Sequence, residues 1–79
     1  PQVMLNVCAG GARESLASDE VKQALADVEQ VLQGRGRVVL RASGTEPLVR
    51  VTVEGSDAAE VRQLAEKLAG IVKSAAERW

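Results

Sequence analysis

Residues 48 to 54, LVRVTVE, alternate without a break, with Val49, Val51 and Val53 on one side and Leu48, Arg50, Thr52 and Glu54 on the other. A period of two belongs to an extended strand, and three valines on one side require that side to be covered. The chain must therefore build a sheet with one buried face and one face that tolerates an arginine. The rest of the sequence has to supply the neighbours and the cover.

Two more stretches qualify as neighbours. QVMLNVC at 2 to 8 sets Val3, Leu5 and Val7 against Gln2, Met4 and Asn6, and RVVLR at 37 to 41 is a short β-rich run. Between them AGGARESLAS reads as a loop, and Ser18 stands where an N-cap belongs, with Asp19 and Glu20 in the first turn. Val21, Leu25, Val28 and Leu32, with Ala24 and Val31 beside them, recur at three and four, and Gly34 sits where a left-handed residue would end the element, so a helix is predicted over about 19 to 33. After Gly55, Asp57 and Glu60 match a capping box, and Val61, Leu64, Ala65, Leu68, Ile71, Val72 and Ala75 carry the longest helix toward the end of the chain. Gly70 inside it costs up to about 1 kcal/mol relative to alanine, which predicts a close packing contact there. The order β-α-β-β-α predicts an α+β fold: a mostly antiparallel sheet, two helices on one face, the other face open.

Composition sets bounds on this reading. With 79 residues there is room for one domain, over 1–79, and the lack of Phe and Tyr makes the core aliphatic, Trp79 being the only aromatic. The sequence begins at Pro1 without an initiator methionine or a signal-like apolar run, and reads as a piece of a larger protein. A single cysteine, Cys8, excludes an intrachain disulfide, and with no histidine it argues against a zinc site; both suit a reducing cytoplasm. Cys8 itself reads as a small buried hydrophobe. No stretch approaches the roughly 20 apolar residues of a membrane span.

Net charge is −1, which implies neither a nucleic-acid nor a membrane partner. The distribution is less even. Arg35, Arg37, Arg41 and Arg50 stand within sixteen residues against one acid, Glu46. GRGR at 34 to 37 reads as a helix stop leading into a basic strand rather than an RNA clamp, and the strands carry no stacking aromatics.

The stretch RASGTEPLVR, 41 to 50, holds more hydrogen-bonding capacity than a turn needs. Arg41 and Arg50 offer planar forks of donors, Ser43 and Thr45 add hydroxyls, and Gly44 lets the backbone turn and expose its N–H groups. Pro47 stiffens the exit. Together they describe an anion site, most naturally for phosphate. Glu46 would repel such a ligand and is expected to point away, pairing with Arg37 or capping backbone N–H groups. A solvated hairpin connection explains the same residue types equally well. Neither GxxxxGK[ST] nor GxGxxG is present, and no Ser or Cys has an activating partner, so catalysis within the chain is not expected.

RASGTEPLVRVTVEG closely resembles the phosphate-binding loop in the C-terminal, fourth domain of the α-D-phosphohexomutases, with Gly44 and Glu46 pointing to the phosphoglucosamine branch. PQVMLNV resembles the entry from the preceding domain in that family, so the likeness covers nearly the whole chain. It implies the TBP-like fold of the phosphoglucomutase C-terminal domain. It also implies a four-domain parent that interconverts glucosamine 6-phosphate and glucosamine 1-phosphate through a bisphosphorylated sugar, on the route to UDP-N-acetylglucosamine. By the same resemblance, Arg41, Ser43, Gly44, Thr45 and Arg50 would contact the phosphate that is not being transferred, with Glu46 and Pro47 shaping the loop. The phosphoserine, the Mg²⁺-binding aspartates and the sugar-reading loop would lie on the other three domains, so Mg²⁺ and a sugar bisphosphate activator are implied for the parent and no cofactor for this chain. Two other readings stand beside it: a stand-alone anion-binding module, and a protein-interaction domain using the open sheet face.

Overall fold

The computed structural model describes residues 1–78, which form β1 (Gln2–Cys8), α1 (Ala12–Ser15), α2 (Asp19–Val31), β2 (Arg37–Ala42), β3 (Leu48–Glu54) and α3 (Ala58–Ala76). The alternating segment, β3, takes the centre of a three-stranded sheet of order β1-β3-β2, antiparallel at both seams. On the inner face the register aligns Val3, Val53 and Val38 in one row and Leu5, Val51 and Leu40 in the next. Val49, Val51 and Val53 are 0% exposed, as the alternation requires.

The helices supply the cover. α3 lies over β1 and β3 and presents Val61, Ala65, Leu68 and Val72, all fully buried, while α2 packs on α3 and β2 through Val21, Ala24 and Val28, with Leu32 just past its end. Both N-caps are those of the sequence reading: Ser18 Oγ accepts from the Val21 amide at 3.3 Å, and Asp57 Oδ1 accepts from the Glu60 amide at 3.1 Å. The capping box is only half formed. Glu60 instead faces Arg35 at 3.1 Å, a contact that ties the start of α3 to the end of α2.

Gly34 has φ +77, and the amides of Arg35 and Gly36 donate to the Leu32 carbonyl at 2.7 and 3.0 Å, which closes α2. Gly36 is needed for a different reason. A Cβ there would lie 2.0 Å from the carbonyl oxygen of Glu54, so only glycine lets β2 start against the end of β3. GRGR is thus a helix stop followed by a close backbone approach.

Other expectations are corrected as well. AGGARESLAS is not wholly loop: one helical turn, α1, buries Ala12 and Ser15, whose Oγ donates to the Ala12 carbonyl at 2.6 Å, and packs against α3. The helix predicted over 19 to 33 ends at Val31, because Leu32 to Gly36 curl into the stop. Val31 is 44% exposed, one turn position off the buried stripe. Cys8 is exposed, since it shares the parity of Gln2, Met4 and Asn6 and therefore the outer face. Gly70 meets no close neighbour: it sits on the exposed side of α3, and nothing lies within 4 Å of where its Cβ would be. No helix of the described residues is long and apolar enough to cross a membrane.

Candidate functional site

With both helices on one side, the other side of the sheet is left open, and its residues fall into cross-strand rows. At one end Gln2, Glu54 and Arg37 align, then Met4, Thr52 and Val39, then Asn6, Arg50 and Arg41, and finally Cys8 opposite Leu48. The two arginines that bracket the SGTEP loop are therefore direct neighbours on adjacent strands. Like charges set opposite one another in a sheet repel, and the fold tolerates the pair only where solvent or an anion screens it.

The other two arginines of the basic segment are neutralised: Arg35 by Glu60, and Arg37 by Glu54, whose carboxylate accepts from its Nε at 3.1 Å. Among the described residues Arg41 and Arg50 have no carboxylate partner. Among the described residues the pair makes one side-chain hydrogen bond, from Arg50 Nε to Asn6 Oδ1, at 3.5 Å. Excess positive charge is thus confined to one row of the sheet.

The loop adjoining that row is held by its own backbone. The Ser43 amide donates to the Leu48 carbonyl at 2.8 Å and the Leu48 amide to the Glu46 carbonyl at 2.7 Å, which closes the β2–β3 hairpin. Ser43 Oγ accepts from the amides of Thr45 and Glu46, both at 3.3 Å, so these two amides turn inward and the hydroxyl proton remains available to a ligand. The Pro47 carbonyl accepts from the Ala9 amide at 3.1 Å, anchoring the loop exit to the end of β1. Gly44 has neither a positive φ nor a close neighbour, so it is not required for the turn itself. What it leaves is open space above the loop.

A shallow depression runs along this outer face, bordered at the loop end by Arg41, Ser43, Glu46, Leu48 and Arg50. Among the described residues Glu46 makes no ion pair with Arg37 and caps no backbone N–H; it borders the depression. The structure thus brings together Arg41, Arg50, Ser43 and Glu46, with Gly44 and Thr45 exposed on the loop between them. Asn6 joins the row without having been singled out by its sequence, which placed it on the outer face of β1 but could not say which residue it would oppose.

A family model described as phosphoglucomutase/phosphomannomutase, C-terminal domain, matches residues 4–71. The chain belongs to that family. The match spans the loop, both arginines and Asn6. Phosphoglucosamine mutase of Sodalis glossinidius is 56% identical over 75 residues, and that of Pseudomonas fluorescens 57% identical over 72. These alignments cover 95% and 91% of this chain but 17% and 16% of the relatives, so the phosphoglucomutase/phosphomannomutase C-terminal domain is a small part of those proteins. N-acetylphosphoglucosamine mutase of Aspergillus fumigatus matches the fold with a TM-score of 0.71 at 28% identity, over 96% of this chain and 16% of that one. A second structure of that enzyme, in complex with GlcNAc-6P and magnesium, gives 0.70 at 30% identity, with the same coverage. The α+β expectation and the phosphohexomutase C-terminal-domain likeness both hold.

Proposed function

We propose that this domain binds the phosphate of a phosphosugar that is not being transferred, as the substrate-gripping part of a phosphoglucosamine mutase that interconverts glucosamine 6-phosphate and glucosamine 1-phosphate. The observation that carries the reading is the pair of cross-strand neighbours Arg41 and Arg50, unneutralised among the described residues and adjoining a loop that offers hydroxyls and open space. A dianionic phosphate seated there relieves the repulsion between the guanidiniums and accepts from both forks, with Ser43 and Thr45 adding donors. Each charge-assisted hydrogen bond contributes roughly 1.5 to 3 kcal/mol, so a few of them hold the anion without an apolar pocket.

The chain's part in the reaction is to bind and orient. The relatives' greater length leaves room for the phosphoserine, the sugar-reading loop and the magnesium site on three other domains of a cytoplasmic enzyme, and a sugar bisphosphate would serve as its activator. Among the described residues no group of three or more His, Cys, Asp or Glu side chains comes together, and no step here is routed through a metal. Holding the remote phosphate uses binding energy away from the reacting centre to orient the sugar and exclude water.

Amide chemical shifts of this chain, followed while glucosamine 6-phosphate is added to high millimolar concentration with glucosamine as control, test the reading. Saturable shifts confined to about residues 41 to 50 and absent with glucosamine are expected. Equal responses to both compounds, or none to either, would overturn it for this domain.

A further inference from the structure

The outer face carries two arginine–acceptor contacts of the same form with different partners. At one end Arg37 Nε donates to the carboxylate of Glu54, and in the third row Arg50 Nε donates to the carboxamide of Asn6. A guanidinium has two edges that can take an anion side-on or end-on. Engaging Nε with a neighbour occupies one and leaves the two terminal nitrogens as a free fork. A carboxylate in that role orients the fork but cancels its charge; an amide orients it and leaves the charge intact.

We propose that Asn6 is a positioning residue of the phosphate site: it holds Arg50 by Nε so that the terminal fork, still fully cationic, is presented toward the SGTEP loop. Three facts converge. Asn6, Arg50 and Arg41 share one cross-strand row, so the contact is set by strand register. Asn6 is exposed, so its amide is not there to satisfy a buried group. The neighbouring arginine Arg41 has no carboxylate among the described residues, so an acid at position 6 would be the first negative charge in the row. At 3.5 Å the bond is long, and its contribution is to direction rather than to strength. The inference rests on the proposed phosphate site and adds to it a residue outside the loop.

The test compares Asn6→Asp, Asn6→Ala and Arg50→Ala by titration with glucosamine 6-phosphate, together with the Arg50 Nε–H signal of the ligand-free protein. Asn6→Asp keeps the shape and the Nε contact but adds a negative charge, and is expected to weaken binding by roughly threefold to tenfold. Asn6→Ala frees the guanidinium, and a loss of roughly twofold to fivefold is expected, with faster solvent exchange of Nε–H. Melting temperatures should stay near that of the parent, which separates positioning from a structural role. If Arg50→Ala abolishes binding while both Asn6 variants bind as the parent does, the role of Asn6 falls and the phosphate site stands. If the parent itself does not bind, or Arg50→Ala binds equally well, the phosphate site falls and the role of Asn6 with it.

Discussion

The two faces of β3 show how one strand can be specified twice. Val49, Val51 and Val53 point inward and are entirely buried, while Leu48, Arg50, Thr52 and Glu54 point outward onto an uncovered surface. The inner residues are interchangeable in kind, three valines whose value is shape and apolar area. The outer ones are not: Glu54 neutralises Arg37, and four residues away along the strand Arg50 is left facing Arg41. Under the proposed function, stability and binding fall to alternate residues of one segment. If the division is real, substitutions one position apart must fail in different ways.

Val51→Ala should give the largest effect on the inner face. Val51 lies in the central inner row between Leu5 and Leu40, under the helices, where a truncated side chain leaves a void that the packed valines cannot refill. A loss of about 1 to 3 kcal/mol is expected, read as a lower midpoint in thermal or urea unfolding, with phosphosugar affinity unchanged in the fraction that remains folded. A normal melting temperature would place Val51 outside the core and break the comparison from its inner side.

Arg50→Ala, the adjacent residue, should do the reverse. Its side chain is exposed and makes no ion pair among the described residues, so the fold loses little, while the anion loses one of its two forks. Affinity for glucosamine 6-phosphate is expected to fall by about tenfold or more, and in a longer mutase carrying this domain KM should rise and kcat/KM fall accordingly. Unchanged binding would mean that the outer face is only a solvated surface.

How far each face was legible in the sequence follows from the range of the physics involved. Period-two alternation, the N-caps at Ser18 and Asp57 and the stop at Gly34 are local, and all four are where the residues put them. The α1 turn is too short to show a period. Its burial depends on α3, far along the chain. The residue types of the loop are local and suffice to suggest the proposed anion site, but the row Asn6–Arg50–Arg41 depends on β1 pairing with β3 in one register, which no local pattern specifies. For the same reason the sequence leaves Glu46 either to pair with Arg37 or to cap backbone N–H groups, although the register gives Arg37 to Glu54. Residue type alone makes Cys8 a buried hydrophobe, whereas its parity in β1 places it outside.

The smallest expected effect sharpens the comparison by touching neither face. The sequence predicts a close packing contact at Gly70, yet its Cβ position is open and its φ is ordinary. A glycine in the interior of a helix leaves the unfolded chain more freedom to lose than an alanine would, and nothing in the surroundings offsets that cost. Gly70→Ala should therefore raise stability by about 0.4 to 1 kcal/mol, seen as a small rise in the unfolding midpoint, and leave glucosamine 6-phosphate binding as it was. Destabilisation would mean that the exposed side of α3 is covered in the intact protein, because only a neighbour packed against that side would make the absence of a methyl group there matter.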